Sequence, residues 1–177
     1  MSFVVFFRAA NVGGHQVFRP SVLAKQMAKF DVVNIGAAGT FVVRGKITEV
    51  ALRTELLRRL PFKPELMICP ARTVIALMES DPFRDAPPDE KAVLRSVTVM
   101  QKPALKLPRL PLEQPAGSKW EVKVIGVTGR FAWSLRRRME RSKFHPNEVV
   151  EKHFGTPATT RNLNTISAIC EVLGRTV

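Results

Sequence analysis

Hydrophobic spacing along the first seventy residues switches between the two periods that distinguish strands from helices. "SFVVFF" is apolar at successive positions, as a strand buried on both faces is. "RAANVGGHQVF" then breaks the pattern as a loop. Pro20 suits the first position of a helix, and Val22, Leu23, Met27 and Phe30 recur at helical spacing. "DVVNIG" and "TFVVRG" are short β-rich runs joined through "GAAG", the pattern of a hairpin. Thr48 suits an N-cap with Glu49 beside it in the first turn. Val50, Leu56, Leu57 and Leu60 then line a helix that Pro61 stops, and "ELMICP" is a fourth strand. The order βαββαβ is that of the ferredoxin-like motif.

The second half is less regular. "ARTVIALMES" has helical spacing and ends at Asp81-Pro82-Phe83, "DAPPDEK" is a polar connector, and "LRSVTVM" is a strand. "QKPALKLPRLPLEQPAGSK" carries too many prolines for a regular helix and is expected to be extended or loosely helical at the surface. In "WEVKVIGV", Trp120, Val122 and Val124 alternate with Glu121 and Lys123. After "TG", Phe131, Trp133 and Leu135 alternate in "RFAWSL", and the two runs predict a hairpin with these residues turned to the core. Asn147 is placed to cap a short helix that Gly155 and Pro157 end. A last helix aligns Leu163, Ile166, Ile169, Cys170 and Leu173 and closes at Gly174, with Thr159 or Thr160 as its cap. The expected fold class is therefore α+β: a ferredoxin-like βαββαβ lobe over 1–70, then a less regular α/β lobe over 71–177, packed as one compact unit.

Composition adds one strong feature. The chain has 177 residues and a formal net charge of +13. Residues 1–90 carry 12 Lys/Arg against 9 Asp/Glu, and residues 91–177 carry 16 against 6. That asymmetry points to a polyanion such as nucleic acid, or to a well-solvated face. No apolar run is long enough to span a membrane, and "MSFVVFF" lacks the basic leader and length of a signal peptide, so a cytoplasmic protein is expected. Cys69 and Cys170 stand alone, which predicts two reduced, buried thiols. His15, His145 and His153 have no metal-ligand spacing, so neither a metal nor a cofactor is expected.

Three stretches carry candidate chemistry. Arg8 ends the first strand, and Asn11, Gly13 and Gly14 follow in a loop whose glycines let backbone N–H groups approach an anion; the same glycines suit an ordinary turn. "RRRMERSK" offers Arg136, Arg137, Arg138 and Arg141 to phosphates. Trp133 and Phe131 just before it would stack a base if exposed, although their alternation fits the core better. Ser142 and Lys143 are adjacent, so on an extended chain they face opposite ways, which is wrong for a catalytic dyad. In "ATTRN", Thr159, Thr160, Arg161 and Asn162 would surround the N-terminus of the last helix. A cation in that first turn opposes the helix dipole unless an anion, either a carboxylate of the chain or a bound phosphate, sits there.

"FRAANVGG", "DPF", "RSKF" and "FGTPATTRNLNT", in this order, resemble the bacterial domain of unknown function (DUF) 1697 family over nearly the whole chain. The resemblance implies an α+β fold with ferredoxin-like elements and brings no biochemical activity. Ala9 and Ala10 replace the family's Gly-Ile, Gly36-Ala37-Ala38-Gly39 stands where Gln-Ser-Gly-Asn is usual, and Leu163 replaces an aromatic. The side chains that remain bind anions and include no evident proton-transfer group. Three functions follow as expectations: a non-enzymatic module for nucleic acid, a site for a small phosphorylated ligand held between the lobes, or a structural role in which "TTRN" locks the lobes.

Overall fold

In the computed structural model, residues 1–8, 18–86 and 92–174 are described. The chain forms two compact units, Met1–Glu79 with Ser167–Val177, and Ser80–Ile166. The boundary therefore falls after residue 79 rather than 70, and the end of the last helix returns to the first unit. Both units are α+β, each built on an antiparallel sheet.

The first unit orders its strands β2-β3-β1-β4, with β1 at Phe3–Phe7, β2 at Val32–Asn34, β3 at Thr40–Val43 and β4 at Leu66–Pro70. β1 is central: Val5 faces Phe41 on one side and Ile68 on the other, and all five of its residues are buried. That explains a strand with no polar positions. Helix α1 (Pro20–Gln26) lies between β1 and β2 in sequence, and α2 (Glu49–Arg59) between β3 and β4. Thr48 caps α2, accepting the Ala51 amide at 3.2 Å. Leu23, Met27, Leu52 and Leu56 join Val5, Phe7, Phe41 and Ile68 in one core. Val22 and Val50, expected on the buried faces, are exposed. At Gly39 (φ +68°) a Cβ would lie 2.8 Å from that of Phe7, so this turn of the β2–β3 hairpin admits glycine only. Helix α3 (Ala71–Glu79) also belongs to this unit. Cys69 and Cys170 are buried and form no disulfide, and burial raises the Cys170 thiol above its ordinary pKa.

The second unit orders its strands β6-β7-β8-β5-β9. They are β5 (Val93–Met100), β6 (Leu112–Gln114), β7 (Val122–Thr128), β8 (Phe131–Arg137) and β9 (Ala158–Asn162). β7 and β8 form the expected hairpin. The proline-rich stretch gives up three residues, Leu112–Gln114, as an edge strand against β7, where prolines on either side limit its length. Helix α4 (Pro146–Phe154) places Val149, Val150 and Phe154 on Met100, Val122, Val124, Ala132 and Ala158. Its cap position is His145, without a side-chain bond, and Asn147 lies inside the first turn. Gly155 (φ 74°) ends α4, as expected.

Candidate functional site

The most specific stretch of the sequence folds as helix stop, strand and helix start. Ala158–Asn162 is β9, paired antiparallel with β5 so that Val97 faces Arg161 and Thr98 faces Thr160. Helix α5 (Leu163–Val172) begins only after it. Arg161 is thus a strand residue, and Thr159 and Thr160 do not cap the helix. Asn162 does: its Oδ1 accepts the Thr165 amide at 2.8 Å and the Thr165 hydroxyl at 2.7 Å. β-branched threonines fit a strand as well as a cap, and the pairing offered by β5 decides between them. The Arg161 guanidinium is buried and donates to Thr159 Oγ1 at 2.8 Å and to the Thr160 carbonyl at 2.9 Å. Burial pushes its pKa down to about 10, so it stays a cation at neutral pH. Thr160 shares a hydrogen bond of 2.8 Å with Thr98, and Glu151 Oε1 accepts the Ala158 amide at 2.8 Å. These contacts join the segment to β5 and α4.

Ser142 and Lys143 are organised by a carboxylate the sequence reading passed over. Glu121, buried at the entry to β7, accepts the Ser142 hydroxyl and the Lys143 amide on Oε2, each at 2.8 Å, with the Phe144 amide at 3.4 Å. The serine hydroxyl and these amides hold the Glu121 carboxyl below its ordinary pKa. The expected outward position of Glu121 is therefore corrected: alternation fails where β7 begins, because the carboxylate has a nest of donors to enter. Ser142 is spent on this contact, whereas the Lys143 side chain is exposed.

Arg8 follows β1 directly and pairs with Glu65 at 3.2 Å. Asn11, Gly13 and Gly14 lie outside the described residues. Arg8 and "TTRN" belong to different units.

The basic run extends from β8. Arg136 and Arg137 are its last two residues, while Arg138 and Arg141 are exposed beyond it. Among the described residues, no carboxylate lies within ion-pair distance of Arg136, Arg138, Arg141 or Lys143. Arg137 donates to the Ser118 carbonyl at 2.8 Å, and its guanidinium carbon stands 4.2 Å from the centre of the Trp120 ring. Lys123 Nζ is 4.8 Å from the same centre and pairs with Glu113 at 2.8 Å. Trp120, expected in the core, is half-buried beneath these two cations. Phe131 is buried as expected, but Trp133 is half-buried and lines an open cleft of about 510 Å³. Ser80 to Pro82, Ile125 and Leu135 also line it. No motif announces this cleft, because its residues come from four separated stretches. Among the described residues, no three His, Cys, Asp or Glu converge to hold a metal ion, and no helix is long and apolar enough to cross a membrane.

No family model matches the chain, and neither does any curated protein. Among solved structures, conserved bacterial protein SP0830 from Streptococcus pneumoniae is similar over almost its whole length, 14% identical, with a TM-score of 0.59, over 97% of this chain and 98% of that one. At this identity the likeness shows a shared α+β fold.

Proposed function

We propose that this protein is a non-enzymatic module that binds single-stranded nucleic acid through its second unit. The observation that carries the reading is the group of cations beyond β8, Arg138, Arg141 and Lys143, exposed and without carboxylate partners among the described residues. Surface cations left without internal partners in a chain of net charge +13 suit phosphate contact. Arg137 and Lys123 over Trp120 extend the same positive surface toward an aromatic cleft, the pairing of charge and stacking platform that single strands use. The sheet order β2-β3-β1-β4 and the βαββαβ succession support a ferredoxin-like arrangement of the first unit, and the ordered motifs support membership of the DUF1697 family. Filter binding of a labelled oligonucleotide tests the function. Affinity should fall steeply with salt, and Arg138→Glu with Arg141→Glu should weaken it at least tenfold. Binding absent at low salt, or unchanged by the double reversal, defeats the reading.

The hydrogen bonds of Thr159, Thr160, Arg161 and Asn162 favour a second role for "TTRN". On that reading the segment braces the fold and takes no ligand. Arg161→Ala should then lower stability while nucleic-acid affinity, measured on the folded variant, stays as it was.

A further inference from the structure

The cleft beside β8 combines features that a solvated charged face does not need. Trp133, Leu135, Ile125, Pro82 and Pro111 give it an apolar wall. Trp133 is seated against Gly126, where the β7–β8 register shifts: a Cβ at that glycine would lie 2.1 Å from the indole ring. The glycine therefore fixes the ring in place while the ring lines the cleft. Trp120 lies at the same cleft, but Arg137 and Lys123 already stand over its ring, which leaves Trp133 as the stacking surface. Charge is divided around the cleft. Asp81, Arg84 and Asp85 belong to the stretch that lines it from Ser80, with Arg84 paired to Asp81 at 3.8 Å, and Lys123 lies with Trp120.

We propose that this cleft is a nucleobase subsite, with the base stacked on Trp133 and its 5′-phosphate directed to Lys123. This rests on the nucleic-acid reading and deepens it. A planar heterocycle fits a pre-formed apolar cleft of this size, and stacking on an aromatic ring tolerates any base. Asp81 and Asp85 repel a phosphate on their side of the cleft, where Arg84 lies 3.8 Å from Asp81, and Lys123, which also pairs with Glu113, is the cation on the side of Trp120. Lys123 is opposite Leu135 in the sheet, between Trp133 and Arg137 along β8. Trp133, Leu135 and Arg137 share a face by strand alternation, and four residues of strand carry the chain about 13 Å. A mononucleotide therefore reaches Lys123 from the Trp133 site, whereas the arginines beyond Arg137 are left for neighbouring phosphates of a longer strand.

The chain's two tryptophans, Trp120 and Trp133, both line this cleft, and there is no tyrosine, so intrinsic fluorescence reports on it alone. The full chain is titrated with AMP, adenosine, ribose 5-phosphate and an oligoadenylate. AMP and adenosine should quench emission to saturation and ribose 5-phosphate should not. Lys123→Ala should weaken AMP at least fivefold and adenosine less than twofold. Trp133→Ala should abolish saturable quenching by adenosine; where circular dichroism shows that variant unfolded, the Lys123→Ala comparison decides. Equal quenching by ribose 5-phosphate, or equal effects of Lys123→Ala on AMP and adenosine, overturns the subsite. Salt-dependent filter binding of the oligoadenylate with no quenching by AMP overturns the subsite and leaves the nucleic-acid function standing. Saturable AMP quenching with no filter binding does the reverse.

Discussion

A single buried cation shows how much a residue's meaning depends on its element. Arg161 stands out in the sequence because it follows two threonines that resemble a helix start, where a cation is out of place. In the structure it precedes the helix, and its guanidinium is buried against Thr159 Oγ1 and the Thr160 carbonyl. The oddity was legible and its cause was not, since pairing with β5 is a contact between positions about sixty residues apart. Arg161→Ala leaves two acceptors without this donor and opens a void, so it should cost about 2–3 kcal/mol in urea unfolding. Arg161→Met fills most of the volume without a buried charge and should cost at least 1 kcal/mol less, by the rule that apolar isosteres often replace buried ions cheaply. Equal losses would mean that charge, not packing, fixes this site. Glu121 behaves oppositely. Its folded pKa is depressed below the unfolded value near 4.3, so its contribution is present above that value and lost as pH falls through the folded pKa. Glu121→Gln should therefore be less stable than the parent at neutral pH, and the gap should close on acidification. A gap constant from pH 7 to pH 2 would mean that ionisation plays no part.

At the scale of elements, alternation and caps were readable wherever one face was buried and the start signal was local. Thr48 capping α2 and Gly155 ending α4 are of this kind. Asn147 and Asn162 show the limit: both suit a cap, and only Asn162 sits where the strand hands over to the helix. Asn162→Ala should lower stability by about 1 kcal/mol, the ordinary worth of an N-cap, while Asn147→Ala should stay within about 0.5 kcal/mol. Thermal melts of the two variants compare them directly, and equal shifts would contradict the assigned helix start. β6 was hidden for a different reason. A three-residue edge strand between prolines has too little pattern to show a period, and only its partner β7 defines it. Gly126 could not be read either, since the sequence does not disclose that Trp133 lies over it. Gly126→Ala should unseat that ring, cost about 1–3 kcal/mol as an overpacked site, and shift tryptophan emission to the red. Unchanged emission would place the ring elsewhere.

For the whole molecule, the α+β class and most strands followed from periodicity, but the division of the chain did not. Helix α3 and the end of α5 belong to the first unit, a tertiary choice that local pattern cannot express, because an amphipathic helix does not record which sheet it covers. Charge asymmetry, in contrast, needs no folding to be seen, and it makes a prediction about location. If phosphate contact is confined to the second unit, exposed lysines of the first are bystanders. Lys46→Glu with Lys63→Glu changes net charge as much as Arg138→Glu with Arg141→Glu does, and all four residues are exposed. A general field effect would weaken both variants alike, since distant charges act only through screened potential. A local interface separates them. The arginine pair should lower the magnitude of the salt slope, log affinity against log salt, by about 1.4, at about 0.7 per lost phosphate contact on a single strand. The lysine pair should leave that slope unchanged and affinity within about twofold. Equal losses in slope would spread the interface over both units and remove the reason for assigning it to the surface beyond β8.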